Sequence, residues 1–224
     1  GTVLNAGINQ PLTANFTPTD AANYNVATAT VALTVNRAAL TVTADNKTMV
    51  FGSAVPPLTI TYAGLVNGDL PNVVTSALLA STPATAVNAV GSYPIVLAGG
   101  GATTNYAVSL VNGALTITAA AQTIAFGPLP DRLTTDAPFA LSASASSALP
   151  VGWTVVSGPA TLLGNVLTLT GAADVVTVRA TQPGNGNVAA APAVERSFAV
   201  NLAPCPALAL LPAPTQPLSF SLTA

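Results

Sequence analysis

The feature that most constrains this chain is a repeat of about 82 residues. Asn23-Tyr24 recurs as Asn105-Tyr106 and, in degraded form, as Asn187-Val188, both times at an interval of 82. Leu40-Thr41-Val42 recurs as Gln122-Thr123-Ile124 at the same interval. The apolar residues that close each unit, Val35, Ile117 and Val200, stand 82 and 83 apart. A fixed period signals an array of like modules. This one is longer than most solenoid repeats, so each unit is large enough to enclose a core of its own.

The local pattern says what kind of module repeats. Seventeen Gly and 19 Pro punctuate the 224 residues, and Thr alternates with Val, Leu and Ile between them. Runs with a period of two predict strands at Leu58 to Tyr62, Ala114 to Thr118, Val166 to Thr170 and Val175 to Val178. Asn67-Gly68-Asp69 and Gly99-Gly100-Gly101 predict turns. Asn112-Gly113, between two apolar runs, predicts a two-residue hairpin. Short strands with no helix pattern predict an all-β chain of tandem immunoglobulin-like β-sandwiches. The junctions divide it into residues 1–37, 38–120, 121–201 and a Pro-rich tail over 202–224. The first unit is incomplete, since only 23 residues precede its landmark tyrosine. The tail ends with Leu218, Phe220 and Leu222 alternating with Ser219, Ser221 and Thr223, the pattern of a strand with one apolar face.

The middle unit carries more specific marks. In order they are Leu40-Thr41-Val42-Thr43-Ala44, Phe51-Gly52, Pro56-Pro57-Leu58, Val66-Asn67-Gly68-Asp69, Val90-Gly91-Ser92-Tyr93-Pro94-Ile95, Asn105-Tyr106 and Gly113-Ala114-Leu115-Thr116-Ile117. In these the stretch resembles an MBG domain, a mostly bacterial immunoglobulin-like repeat of large surface proteins. The third unit is similar to related repeats through Phe126, Pro128-Leu129-Pro130-Asp131, Val156-Ser157-Gly158-Pro159-Ala160 and Glu195-Arg196-Ser197-Phe198. The first matches only the second half of such a repeat. The resemblance implies a stalk or adhesin at the extracellular or cell surface of a bacterium, with no catalytic residues and no cofactor to carry over.

Charge and residue inventory narrow the chemistry. Only 5% of residues are charged and the net charge is −2. A surface of so little charge favours association with its own kind, and the absence of a basic patch argues against nucleic acid. No stretch of 18 apolar residues lacks Pro, Gly or several Thr, so no membrane insertion is expected. There is no histidine, which removes Ser-His-Asp and Cys-His catalysis and histidine metal sites. Cys205 is the only cysteine, and no two carboxylates lie within four residues, so neither a disulfide nor a calcium loop is expected. Asp20, Asp69 and Asp174 stand beside turns, where Asp bonds nearby backbone.

Tyr24, Tyr106 and Trp153 are read as core residues, the tyrosines in the manner of a tyrosine corner. Contact of these aromatics with surface glycans is the alternative, which would make the chain a carbohydrate-binding array. The favoured expectation is a non-enzymatic structural subunit whose partner is itself. Its terminal strand, through Leu218, Phe220 and Leu222, would complete the half-module of the next copy, head to tail. A spacer in a large adhesin is the competing expectation.

Overall fold

A computed structural model describes residues 4–74, 77–101 and 103–204. Those residues are all-β apart from one 3-10 turn at Pro71–Val73. They cluster into two compact units, which are described separately. The first runs to Ala121 and includes Gly184–Ala189; the second comprises Gln122–Pro183 and the chain from Ala190.

The first unit begins with a hairpin. Strand β1 (Gly7–Phe16) pairs antiparallel with β2 (Ala27–Val35) as a two-stranded sheet of its own. A sandwich follows, built from β3 (Ala38–Ala44), β4 (Lys47–Val50), β5 (Ile60–Ala63), β6 (Leu79–Ser81), β7 (Gly91–Ala98), β8 (Tyr106–Val111) and β9 (Gly113–Thr118). One sheet has the order β5-β3-β8 and the other β4-β9-β7-β6. In β3, Leu40, Val42 and Ala44 are buried while Thr41 and Thr43 lie between them; in β9, Leu115 and Ile117 are buried while Thr116 and Thr118 face out. This is the period-two alternation of half-buried strands. Ile95 and Leu97 of β7 and Tyr106 of β8 join the same core.

Asn112-Gly113 does not make the hairpin that the sequence predicts. Strand β8 lies in one sheet and β9 in the other, so the chain changes sheets here. The glycine answers a close approach: a Cβ on Gly113 would stand 2.4 Å from the Ala44 carbonyl oxygen. Asn112 steadies the crossing by accepting the Leu97 N–H through Oδ1 at 3.1 Å. Asn67-Gly68 is the left-handed pair the turn requires, with φ of 55° and 78°, and Asp69 N–H closes it on Val66 O at 3.0 Å. The strand expected from Leu58 begins two residues later, at Ile60, and Leu58 packs against the core from the loop.

The second unit is also a sandwich. Its strands are β10 (Ile124–Phe126), β11 (Arg132–Leu133), β12 (Phe139–Ala140), β13 (Ala143–Ala145), β14 (Gly152–Ser157), β15 (Ala160–Leu163), β16 (Val166–Leu169), β17 (Asp174–Thr181) and β18 (Val194–Asn201). The main sheet is β11-β18-β17-β14, faced by β12-β16-β15 and the pair β10-β13. Leu167, Val176, Val178 and Ala180 are fully buried between them.

Candidate functional site

The surface that stands out is one face of the β1–β2 hairpin. Its register places Leu12 opposite Val31, Ala14 opposite Ala29 and Phe16 opposite Ala27, with Leu33 further along. Alternation puts these side chains on one face. The other face is polar: Thr13 and Thr30 hydroxyls meet at 3.1 Å, and Thr28 donates to Asn15 Oδ1 at 2.9 Å. Such an amphipathic pair is made to lie on a second sheet. Here Leu12 is 57%, Phe16 60% and Val31 64% exposed, and neither strand contains a charge. An exposed apolar face of this kind makes the hairpin the candidate interaction surface. Both outer edges of the pair also carry no strand among the described residues, leaving backbone donors and acceptors open to an added strand.

Tyr24 corrects the sequence reading. It is not a core residue but is 64% exposed. The physical reason is that no opposing sheet covers the hairpin among the described residues. Asp20 organises the connection instead: Oδ1 accepts the Ala22 and Asn23 N–H groups, and Oδ2 accepts from the Asn23 side chain at 2.8 Å. The Asn23 amide, above all, holds the Asp20 carboxyl below its ordinary value.

Tyr106, which follows an asparagine as Tyr24 does, 82 residues further along, is buried. Its hydroxyl reaches Asp69 Oδ2 at 2.6 Å and accepts the Val66 N–H at 3.1 Å, tying β8 to the Asn67-Gly68 turn. The hydrogen bond to the Asp69 carboxylate pushes its pKa up. Asp69 was expected to serve its own turn; its partnership with Tyr106 depends on a fold contact across 37 positions. Asp45 collects the Thr59 and Thr61 hydroxyls on its two carboxylate oxygens. The Thr59 bond first, then Thr61, and the Lys47 charge more weakly, hold its pKa below the ordinary value. Asp174 bonds the N–H of Val175.

Trp153 is half-buried in β14 and meets the edge of Phe126, ring centroids 5.0 Å apart. Sequence reasoning missed a buried polar cluster in the same unit. Gln122 donates to Gln182 Oε1 at 3.2 Å and accepts from Ser147, while Gln182 donates to Pro150 O. The only available signal was Gln122 standing where the preceding repeat has Leu40. Leu218, Phe220, Leu222 and Cys205 lie outside the described residues. Among the described residues no three His, Cys, Asp or Glu gather closely enough to hold a metal ion, and no helix is long and apolar enough to cross a membrane.

Two sheets face to face around one apolar core, with parallel pairings of β3 to β8 and β4 to β9, define the sandwich as immunoglobulin-like. Its kind is narrower: residues 40–116 match the family model of the MBG domain (YGX type), and this stretch is an MBG-type domain. Among solved structures, similarity extends to Drosophila N-cadherin EC1-4, at 7% identity over 86% of this chain and 58% of that one, with a TM-score of 0.28. It extends also to Drosophila N-cadherin EC1-3, at 8% identity over 80% and 74%, with a TM-score of 0.30. The chain thus spans less than two thirds of the EC1-4 structure, and neither likeness is close enough to bear on function. No curated protein matches in sequence.

Proposed function

We propose that this chain is a non-catalytic structural protein of the bacterial surface that self-associates, the bare face of the β1–β2 hairpin taking a strand from a second copy. The observation that carries the reading is the exposure of Leu12, Phe16 and Val31 on one uncharged face. An incoming strand with alternating apolar residues would pair its backbone with an open hairpin edge and set its side chains on that face. The segment Leu218 to Thr223 has this alternation, follows a Pro-rich arm and carries no charge to oppose packing. Insertion of one copy's tail into the next is a heterologous contact and builds an open filament. The test is deletion of residues 217–224, followed by sedimentation velocity and negative-stain imaging. Loss of polymers with both units still folded supports the reading. Polymers that persist without the tail, or a full-length chain that stays monomeric at all concentrations, reject it.

A second reading is a spacer in a large surface adhesin. It is favoured by the MBG-type domain at residues 40–116 standing directly after the hairpin, which carries the same Asn-Tyr landmark. On that reading a longer chain supplies the strands that cover the hairpin, and imaging shows rod-like monomers.

A further inference from the structure

The asparagine of the repeated landmark makes a set of bonds that neither reading of the function uses. Asn105 main-chain O accepts the Ala38 N–H at 2.9 Å, where β3 begins its parallel pairing with β8. Asn187, which belongs to the same compact unit, accepts the Ala120 N–H at 3.0 Å, beside the parallel bridge of Ala120 with Val188. Ala38 and Ala120 are 82 residues apart, as are Tyr106 and Val188. The side chains repeat the correspondence. Asn105 Oδ1 accepts the Ala6 N–H at 2.8 Å, and Asn187 Oδ1 accepts the Val90 N–H at 3.0 Å. Ala6 immediately precedes Gly7, which opens β1; Val90 immediately precedes Gly91, which opens β7. Asn105 also donates through Nδ2 to Asn5 Oδ1 at 3.1 Å.

We propose that this asparagine is a docking residue for the backbone of an adjoining β-element: its main-chain oxygen accepts the N–H that opens a parallel pairing, a full strand ladder at Asn105 and a single bridge at Asn187, while its carboxamide oxygen captures the N–H just before a strand-opening glycine. The chemistry suits the task. A backbone N–H at a strand entrance has no ladder partner, and a neutral amide oxygen satisfies it without introducing a charge. Asparagine is short, so the captured strand must come within hydrogen-bonding reach of the main chain that bears it. The same demand explains why the asparagine stands at position 187 although the tyrosine beside it has become Val188. Tyr106 is held to Asp69 and Val66 within the sandwich, whereas the asparagine faces another segment. Asn23 is the internal control. Its side chain is engaged by Asp20 of its own loop, and its Oδ1 receives no N–H among the described residues.

The test is residue-resolved amide exchange by NMR on the full chain. Asn105→Ala should speed exchange at Ala6 by roughly two- to tenfold, the range for loss of one net hydrogen bond, and leave Val90 unchanged. Asn187→Ala should do the reverse, with an effect at the lower end because that bond is solvent-exposed. Asn23→Ala should move neither amide. Asn105→Asp retains an acceptor oxygen and should keep Ala6 protected, which a general loosening of the fold would not do. Unchanged exchange at Ala6 in Asn105→Ala overturns the proposal. So does equal loss in the Asp and Ala variants, or a change at Val90 as large as that at Ala6. None of these readouts depends on polymer formation, so failure here and failure of the self-association reading are separable.

Discussion

The β1–β2 hairpin and the sandwich that follows it contain the same Asn-Tyr landmark, yet Tyr24 is 64% exposed and Tyr106 only 2%. The two regions diverge again seven residues after the tyrosine. Gly113 lets the chain pass the Ala44 carbonyl and change sheets; the position 82 residues earlier is Val31, and there β2 runs unbroken from Ala27 to Val35. A sheet change needs a partner strand to cross. In the sandwich β3 supplies the backbone that Gly113 passes, while in the hairpin no such strand stands among the described residues. Burial of a landmark aromatic is therefore a property of the completed module, not of the dipeptide.

The largest contrast should lie in core truncation. Leu40→Ala is expected to destabilise the sandwich by about 2–5 kcal/mol, because Leu40 is fully buried. Leu12→Ala should cost less than about 0.5 kcal/mol at concentrations where the chain is monomeric. Urea unfolding followed by NMR signals of the first unit measures both, since Trp153 fluorescence reports only the second. A large cost at Leu12 under dilution would mean that its face is already covered.

Next is Gly113→Val, which installs the hairpin's residue in the sandwich. The added Cβ meets the Ala44 carbonyl oxygen, and the backbone must shift at a cost of about 1–3 kcal/mol. Thermal unfolding no different from the parent chain would show that the sheet change tolerates a side chain.

Removing one oxygen gives a smaller difference. Tyr106→Phe should lower the melting temperature of the sandwich by on the order of 5 °C, because the Val66 N–H and the Asp69 carboxylate lose their partner. Tyr24→Phe should leave it unchanged. The raised Tyr106 pKa adds a sign: its contribution is full below the ordinary tyrosine value of 10.0 and is lost as pH rises through the higher folded value. The alkaline fall in stability should be shallower in Tyr106→Phe.

The smallest expected effects are those of the exposed carboxylates. Asp20 in the hairpin and Asp45 in the sandwich are both held below 3.8 by hydrogen bonds to their ionised forms. Depressed values stabilise above 3.8, and that contribution disappears as pH falls through the folded values. Carboxyl-carbon NMR titration should place both below 3.8. Asp45→Asn should flatten the acid side of the sandwich's stability profile, and Asp20→Asn should not.

Much of this is legible in single residues. The alternation of Leu40, Val42 and Ala44 with threonines marks β3 before any contact is known, because a strand's two faces are set by its own pleat. Asn67-Gly68 identifies its turn because few other residues accept positive φ at both positions. The same logic misreads Asn112-Gly113, where a local signal for a hairpin is outweighed by the Ala44 carbonyl, 69 positions from Gly113 in sequence. The hairpin face is half-legible: the apolar alternation of Leu12, Ala14 and Phe16 is visible, but its exposure is not. The Tyr106–Asp69 bond and the Gln122–Gln182 cluster left no pattern, since each joins residues distant in the chain through side chains of ordinary type.

What the sequence alone determined is the class of object: an all-β chain of immunoglobulin-like units, with an MBG-type unit in the middle and little charge. The strands, turns and low charge follow from alternation, turn chemistry and composition, which act within a few residues; the MBG-type character of the middle unit follows from its resemblance to a known family. Tertiary structure decided which tyrosine is buried, where the chain changes sheets, and which backbone donors Asn105 and Asn187 capture. Each of those outcomes depends on a second strand lying opposite or alongside the first, and a residue's sequence neighbours do not specify that strand.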